Sequence, residues 1–219
     1  MNRAVAKQAT DLRSRAQGGA STRRLSPLVT GLAIFAIGFA ASLAGDACHV
    51  TSGTTTYLWK GVPTLWQSGL WFPFLVGAAV LGAARSGIRA GLPKRSRRRL
   101  DVVTGIAAVL ALYVLTATMR GQPVTVAVVL CGAAAVVIWA WWDPSLGALC
   151  IALAAAVLGP LAEIGVMAVG AARYASDSSS LGGVAPWLPC LYFAAGAVAS
   201  GLWRVIACDD PALADPSAG

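Results

Sequence analysis

The sequence predicts an all-α membrane protein that crosses the bilayer six times. About 20 helical residues cross a hydrocarbon core of ~30 Å, and a bilayer offers no partners for unpaired backbone groups, so long apolar stretches are expected to be helices. The composition agrees, because 57% of the residues are hydrophobic and 12% are charged, against about 25% charged residues in a typical soluble domain. Six apolar stretches follow one another along the chain: 26–45, 66–84, 102–119, 123–142, 147–172 and 185–206.

The basic residues predict the orientation of the helices. Six of them precede the first apolar stretch and seven lie between the second and the third, whereas the opposite loops carry only Lys60, Arg120 and Arg173. Lys and Arg accumulate on the cytoplasmic side of a membrane. Both termini are therefore predicted to be cytoplasmic. The predicted organisation is a flexible basic tail at 1–25, a six-helix transmembrane domain at 26–206 and a flexible C-terminal tail at 207–219.

The boundaries of the first two helices follow from capping residues, a proline and aromatic residues. Ser26 and Pro27 form a favourable N-cap and first turn for the first helix. The next segment carries four aromatic residues between 57 and 71, as is typical of a membrane interface. Pro73 lies just inside the second helix and predicts a bend there, because it removes one backbone hydrogen bond.

The third and fourth stretches are joined by a connection so short, 119–123, that they are predicted to form an antiparallel hairpin. The fourth ends in a tryptophan-rich run at 139–142, interpreted as a second interfacial belt or as cavity lining. In the fifth stretch, Pro160 predicts a bend. Small residues in all six stretches predict close helix packing, with a face for self-association as the alternative.

Glu163 is the only acidic or basic side chain that the apolar stretches place well inside the membrane. An ionised carboxylate there costs several kcal/mol unless it is paired. Three interpretations stay open: a protonated structural group bonded to a neighbouring helix, a group that lines a ligand cavity, and a proton-coupling group. No second acid and no histidine is expected deep in a helix, and no nucleophile pair or phosphate loop occurs, so the chain is not predicted to be an enzyme.

The composition also argues against several partners. The net charge of +8 does not predict nucleic-acid binding, because the basic residues cluster beside apolar stretches and not along a face interleaved with aromatics. Zinc sites need paired ligands a few residues apart, and Cys48 and His49 are the only adjacent Cys or His residues, so no metal site is expected. No cofactor is expected either.

A nearly chargeless interior predicts a neutral ligand. A phosphate group in the membrane would need Arg or Lys, and the apolar stretches offer neither in their interiors. Apolar walls with a few polar groups suit a sterol-like molecule or a diglyceride-like lipid that carries a hydroxyl. The candidate ligand-binding residues are Glu163, Gln67, Ser68, Trp71, Phe72, Thr118 and Trp139.

The last third of the chain resembles the Insig family of endoplasmic-reticulum membrane proteins. The likeness is strongest at 187–194, which reads Trp-Leu-Pro-Cys-Leu-Tyr-Phe-Ala, and continues at Gly196 and Arg204. Looser similarity at 71–73, 139–145 and 174–177 extends it over roughly 28–206. The residues taken as the structural motif are Trp187, Pro189, Cys190, Gly196 and Gly201.

The resemblance implies an Insig-like six-helix bundle without enzymatic activity. Its eukaryotic relatives bind oxysterols and hold the sterol-sensing partner Scap in the membrane. Asp143 matches the family's partner-critical aspartate, but 144–147 reads Pro-Ser-Leu-Gly where the family has Arg-Ser-Arg-Ser, and Glu163 replaces a neutral glutamine. A Scap-type partner is therefore not expected. The abundance of Ala, Gly and Arg indicates a bacterial chain, located in the inner (plasma) membrane.

The predicted function is a non-enzymatic sensor or scaffold that binds a neutral lipid or sterol-like ligand in an intramembrane cavity. A small proton-linked transporter that uses Glu163 is the alternative, and a structural subunit of a larger complex is a third hypothesis. Membrane lipid is the expected partner, and homo-oligomerisation stays open.

Overall fold

The computed structural model describes residues 23–90 and 99–209 and confirms the predicted six-helix membrane fold. Six α-helices in this part of the chain are long and apolar enough to cross a membrane. We number them in chain order. Their bounds are α1 Pro27–Thr51, α2 Trp71–Arg89, α3 Arg99–Thr118, α4 Val124–Trp142, α5 Leu146–Ala168 and α6 Leu188–Ala207.

Short antiparallel ladders join the segments between the helices. The strands are β1 Arg23–Arg24, β2 Thr55–Tyr57, β3 Thr64–Leu65, β4 Ser68–Gly69, β5 Ala172–Tyr174 and β6 Cys208–Asp209. The pair β2–β5 links the α1–α2 and α5–α6 connections, which therefore lie at one end of the bundle, here called the loop end. The pair β1–β6 links the segments that flank α1 and α6 at the opposite end, here called the tail end. The predicted tails lie almost entirely outside the described residues.

Helix α1 begins as predicted and ends later than its apolar stretch. The Ser26 hydroxyl accepts a hydrogen bond from the Val29 amide at 3.3 Å, as an N-cap does. The helix then continues to Thr51 and carries Asp46 and His49 into the buried part of the bundle, at 4% and 3% exposure. The expectation of no second acid and no histidine within a helix is therefore wrong. The helix tolerates both polar side chains because each has a hydrogen-bond partner, Tyr57 for Asp46 and Thr116 for His49.

Helix α6 is the centre of the bundle, because it contacts each of the other five helices. Small residues permit this close packing, as the sequence predicts. A Cβ added at Gly196 would lie 2.6 Å from the Cβ of Ala155 on α5, and one added at Gly201 would lie 3.0 Å from Nε1 of Trp142 on α4. The buried apolar face of α6 that holds the core together is formed by Leu188, Leu191, Ala194, Val198 and Leu202.

The α3–α4 connection forms the predicted tight hairpin, and the two helices are in contact. Arg120 at its tip donates a hydrogen bond to the Ser52 carbonyl at 2.5 Å and pairs with Asp177 at 3.6 Å. It thereby joins all three connections of the loop end. The ion pair itself contributes little, about 1 kcal/mol or less, because its side chains are 39% and 47% exposed.

At the tail end, Asp143 lies at the C-terminus of α4 and is engaged within the chain. Its Oδ2 accepts a hydrogen bond from the Arg204 guanidinium of α6 at 3.3 Å. Its Oδ1 accepts one from the Ser145 amide at 3.1 Å, where α5 begins. The Asp143 side chain is 6% exposed, so this pair is far less solvated than the one at Arg120. A single carboxylate therefore links α4, α5 and α6.

Replacing this carboxylate is expected to destabilise the bundle. Asp143→Asn leaves the partly buried Arg204 without its counter-charge, which costs about 1–3 kcal/mol in the free energy of unfolding. Thermal unfolding of the detergent-purified protein measures the loss. The control is Asp177→Asn, which breaks the exposed pair with Arg120 and is expected to cost no more than about 1 kcal/mol. Equal losses for the two variants would contradict the assignment.

Candidate functional site

A cavity of about 470 Å³ lies between α2 and α5 and is the candidate binding site. This volume falls in the range of ~300–1,000 Å³ that is typical of ligand pockets. The residues that line it recur every three or four positions on each helix, so each wall is one helix face. The α2 wall consists mainly of Phe72, Val76, Ala79, Ala83 and Ser86, and the α5 wall of Ile151, Ala155, Leu158, Ala162 and Val166.

The cavity exists because small residues face one another across the two helices. A Cβ added at Gly82 of α2 would meet no atom within 4 Å. Ala154 and Ala155 of α5 form part of the opposite wall, and the side chain of each is a single methyl group. Leu75 and Leu158 at the edge of the cavity are 54% and 65% exposed. The cavity therefore opens sideways between α2 and α5, toward the surface that a bilayer would cover.

Glu163 on α5 is the hydrogen-bonding group of the cavity. It is 7% exposed, and both carboxylate oxygens have a donor: the Tyr174 hydroxyl at 2.5 Å on Oε2 and the Tyr192 hydroxyl at 2.8 Å on Oε1. Burial, and next the Glu163 charge, raise the pKa of Tyr174, so its phenol stays protonated and donates. Gly159, one turn earlier on α5, makes room for Tyr192, since a Cβ there would lie 2.3 Å from the Tyr192 ring.

Asp46 on α1 is a second buried carboxylate at the same level of the bundle. The Tyr57 hydroxyl donates to its Oδ2 at 2.6 Å. Burial, and then the neighbouring Asp46, raise the pKa of Tyr57, which keeps this phenol a donor as well. Ser68, fully buried, lies beside the same carboxyl group. Each buried acid is therefore bound by at least one tyrosine hydroxyl, which the loop end or a neighbouring helix supplies.

A small polar chamber of about 20 Å³ adjoins the cavity at the loop end. Phe72, Glu163 and Val166 line both spaces. The chamber also touches the ring of His49, whose Nε2 lies 2.8 Å from the Thr116 hydroxyl on α3. Residues 23–90 and 99–209 contain no group of three or more His, Cys, Asp or Glu side chains that could hold a metal ion.

Four of the seven candidate binding residues lie at this site. Glu163 and Phe72 line the cavity, Trp71 lines the polar chamber, and Ser68 lies beside Asp46. The other three do not line either space. They are Gln67, exposed in the turn between β3 and β4 with a φ of 66°, Thr118, which donates to the Leu115 carbonyl of its own helix, and Trp139, half-buried on α4.

Trp187, the first residue of the structural motif and the residue before α6, packs against the site. Trp187 is 4% exposed, and its ring centroid lies 5.0 Å from that of His49 and 6.5 Å from that of Tyr174. It therefore packs against groups from both sides of the chamber. The sequence reasoning missed Asp46, Tyr174 and Tyr192 as site residues. The two tyrosines lie in segments that the resemblance had already marked, and that signal could have found them.

No protein-family model matches the chain. The INSIG protein homolog of Mycolicibacterium vanbaalenii is 39% identical over 183 residues, which are 84% of this chain and 89% of that protein. The crystal structure of MvINS, a mycobacterial Insig homolog from Mycobacterium vanbaalenii, matches with a TM-score of 0.79 and 35% identity, over 85% of this chain and 96% of that one. A cross-linked trimer of a cysteine variant of MvINS matches equally well, with a TM-score of 0.79.

Proposed function

The chain belongs to the Insig family, and from that premise we propose that it is a non-enzymatic membrane protein that binds a neutral lipid in the cavity between α2 and α5. One observation carries the proposal. The cavity of about 470 Å³ has apolar walls, and its buried hydrogen-bonding corner is formed by Glu163 and Tyr192. Such a site suits an apolar molecule with a single polar group.

The chemistry of the corner narrows the ligand to a lipid with a hydroxyl group. None of the described residues that line the cavity is Lys or Arg, so a phosphate group would find no counter-charge there. Each Glu163 oxygen accepts one hydrogen bond from a tyrosine and retains a second lone pair, which can accept a bond from a ligand hydroxyl. A sterol-like molecule and a diglyceride-like lipid both fit this description.

Occupancy of the cavity gives the protein a means to act as a sensor. The ligand would touch α2 and α5, and both helices pack against the central helix α6. A filled cavity would support both helices, whereas an empty one would leave apolar side chains without contacts. We propose that a partner in the inner membrane of a bacterium recognises this difference.

Native mass spectrometry of the detergent-purified protein tests the proposal. We expect a retained lipid of neutral chemistry, identified after extraction, and an assembly of several chains, since the MvINS homologue has been cross-linked as a trimer. An empty protein that takes up neither added cholesterol nor added diacylglycerol would contradict lipid binding. Proton flux in proteoliposomes that Glu163→Gln abolishes would favour the transporter instead.

A further inference from the structure

The polar chamber at the loop end contains two acids, one histidine and no Lys or Arg side chain. Asp46 and Glu163 both line it, and none of the described residues around it is Lys or Arg. Two ionised carboxylates in a water-poor layer would cost several kcal/mol each if nothing compensated them. The tyrosines that bind them are neutral donors and supply no positive charge. The chamber therefore needs one further positive charge or one fewer negative charge.

A second observation points to a small molecule in the chamber. Thr55 of β2 is 7% exposed and lines the chamber, yet its hydroxyl has no hydrogen-bond partner. Buried polar atoms without a protein partner usually bind an ordered water or ion. The chamber volume of about 20 Å³ exceeds the ~10–15 Å³ that one water requires. Thr55 is fixed in place by its register with Tyr174 in the β2–β5 ladder.

We propose that the chamber is a proton-binding site, in which one water molecule hydrogen-bonded to Thr55 connects Asp46 and Glu163 and the two carboxylates share one proton. The water supplies two donors and two acceptors, enough to contact the threonine hydroxyl and both acids. With one proton shared, the pair carries a single negative charge, and the hydroxyls of Tyr57 and Tyr174 stabilise it.

The other titratable groups around the chamber do not supply this proton. They are His49 of α1 and Tyr113 of α3, which line it, and Tyr192 of α6, which donates to Glu163. The Thr116 hydroxyl donates to a carbonyl of its own helix, so the His49 Nε2 donates its proton to Thr116 and not to the acid pair. Tyrosine hydroxyls keep their protons at neutral pH. The site does not depend on the lipid ligand proposed above, although Glu163 belongs to both.

Infrared difference spectroscopy of the full-length protein in lipid nanodiscs tests this site. The spectrum recorded across a pH titration in choline chloride should show the C=O stretch of one protonated carboxyl group at neutral pH. Asp46→Asn and Glu163→Gln should each remove that band, because a single remaining carboxylate with tyrosine donors ionises. Asp177→Asn, at the exposed ion pair of the loop end, should leave the band unchanged.

Isotope labelling provides a test that needs no variant. Heavy carbon in the aspartate carboxyls and, separately, in the glutamate carboxyls should each shift the band if the proton is shared.

Thr55→Val should move the band to higher frequency, because the acid loses the water as a hydrogen-bond partner.

Three results would overturn the proposal. The first is a band that survives Asp46→Asn and responds to glutamate labelling alone, which would assign the proton to Glu163. The second is the absence of the band from the wild-type protein, or a band whose frequency is the same in the Thr55→Val and wild-type proteins. The third is loss of the band when sodium chloride replaces choline chloride, which would identify a sodium site. Lipid occupancy is measured separately by mass spectrometry, so failure of this proposal leaves the proposed lipid binding standing.

Discussion

Gly82→Leu is expected to exclude lipid from the cavity while the fold stays intact. The space beside Gly82 is open, so a leucine there meets no clash at its Cβ and projects into the volume between α2 and α5. Leucine is also a better helix former than glycine by nearly 1 kcal/mol. We expect at least a tenfold loss in retained lipid, which corresponds to about 1.4 kcal/mol of binding free energy. Native mass spectrometry measures the occupied fraction.

The matched control for this variant is Gly165→Leu. Gly165 lies on α5, and a Cβ there also meets nothing within 4 Å, but this residue does not line the cavity. The Gly165→Leu protein should retain as much lipid as the wild-type protein. If both leucine variants retain lipid equally, the ligand does not occupy the space between α2 and α5, and the proposed function loses its main support.

Gly87→Ala is expected to be the most destabilising small substitution in the bundle. A Cβ at Gly87 of α2 would lie 2.0 Å from the backbone oxygen of Ser200 on α6, far inside any tolerated contact. Backbone cannot rotate away as a side chain can, so α2 must move from α6 to accommodate one methyl group. Overpacking of this kind costs typically 1–3 kcal/mol and occasionally more. The thermal midpoint of the purified protein measures the effect.

Gly165→Ala is the control for backbone effects at Gly87. Both variants change a helical glycine to alanine, so both restrict the unfolded chain and favour helix to a similar degree. Since the space around Gly165 is open, its variant should be as stable as the wild-type protein or up to about 1 kcal/mol more stable. A Gly87→Ala protein as stable as the Gly165→Ala protein would show that the two helices are not in this close contact.

The fold could be predicted from the sequence because hydrocarbon permits few structures. The six apolar stretches correspond to the six helices, and Ser26 caps α1 in the predicted way. Glu163 could be singled out because a buried charge is conspicuous among apolar residues, and its position at a cavity follows the same reasoning. In each case a local pattern has one dominant physical consequence.

The rest depended on which residues meet in three dimensions. Asp46 and His49 lie beyond the first apolar stretch, which ends at 45, and the partners that stabilise them in a helix, Tyr57 and Thr116, come later in the chain. Thr118 and Trp139 had the right chemistry for a cavity, but their helix faces point elsewhere. Sequence spacing gives the period of a helix and does not give its rotation about its own axis.

The sideways opening between α2 and α5 determines by which route a ligand would enter and what would set its occupancy. A molecule that enters by this route comes from the bilayer itself and never crosses water. Its saturation is then governed by its mole fraction in the surrounding leaflets, so the protein would measure membrane composition directly. Dilution of the sample at a constant lipid ratio should leave occupancy unchanged, whereas addition of inert phospholipid should lower it.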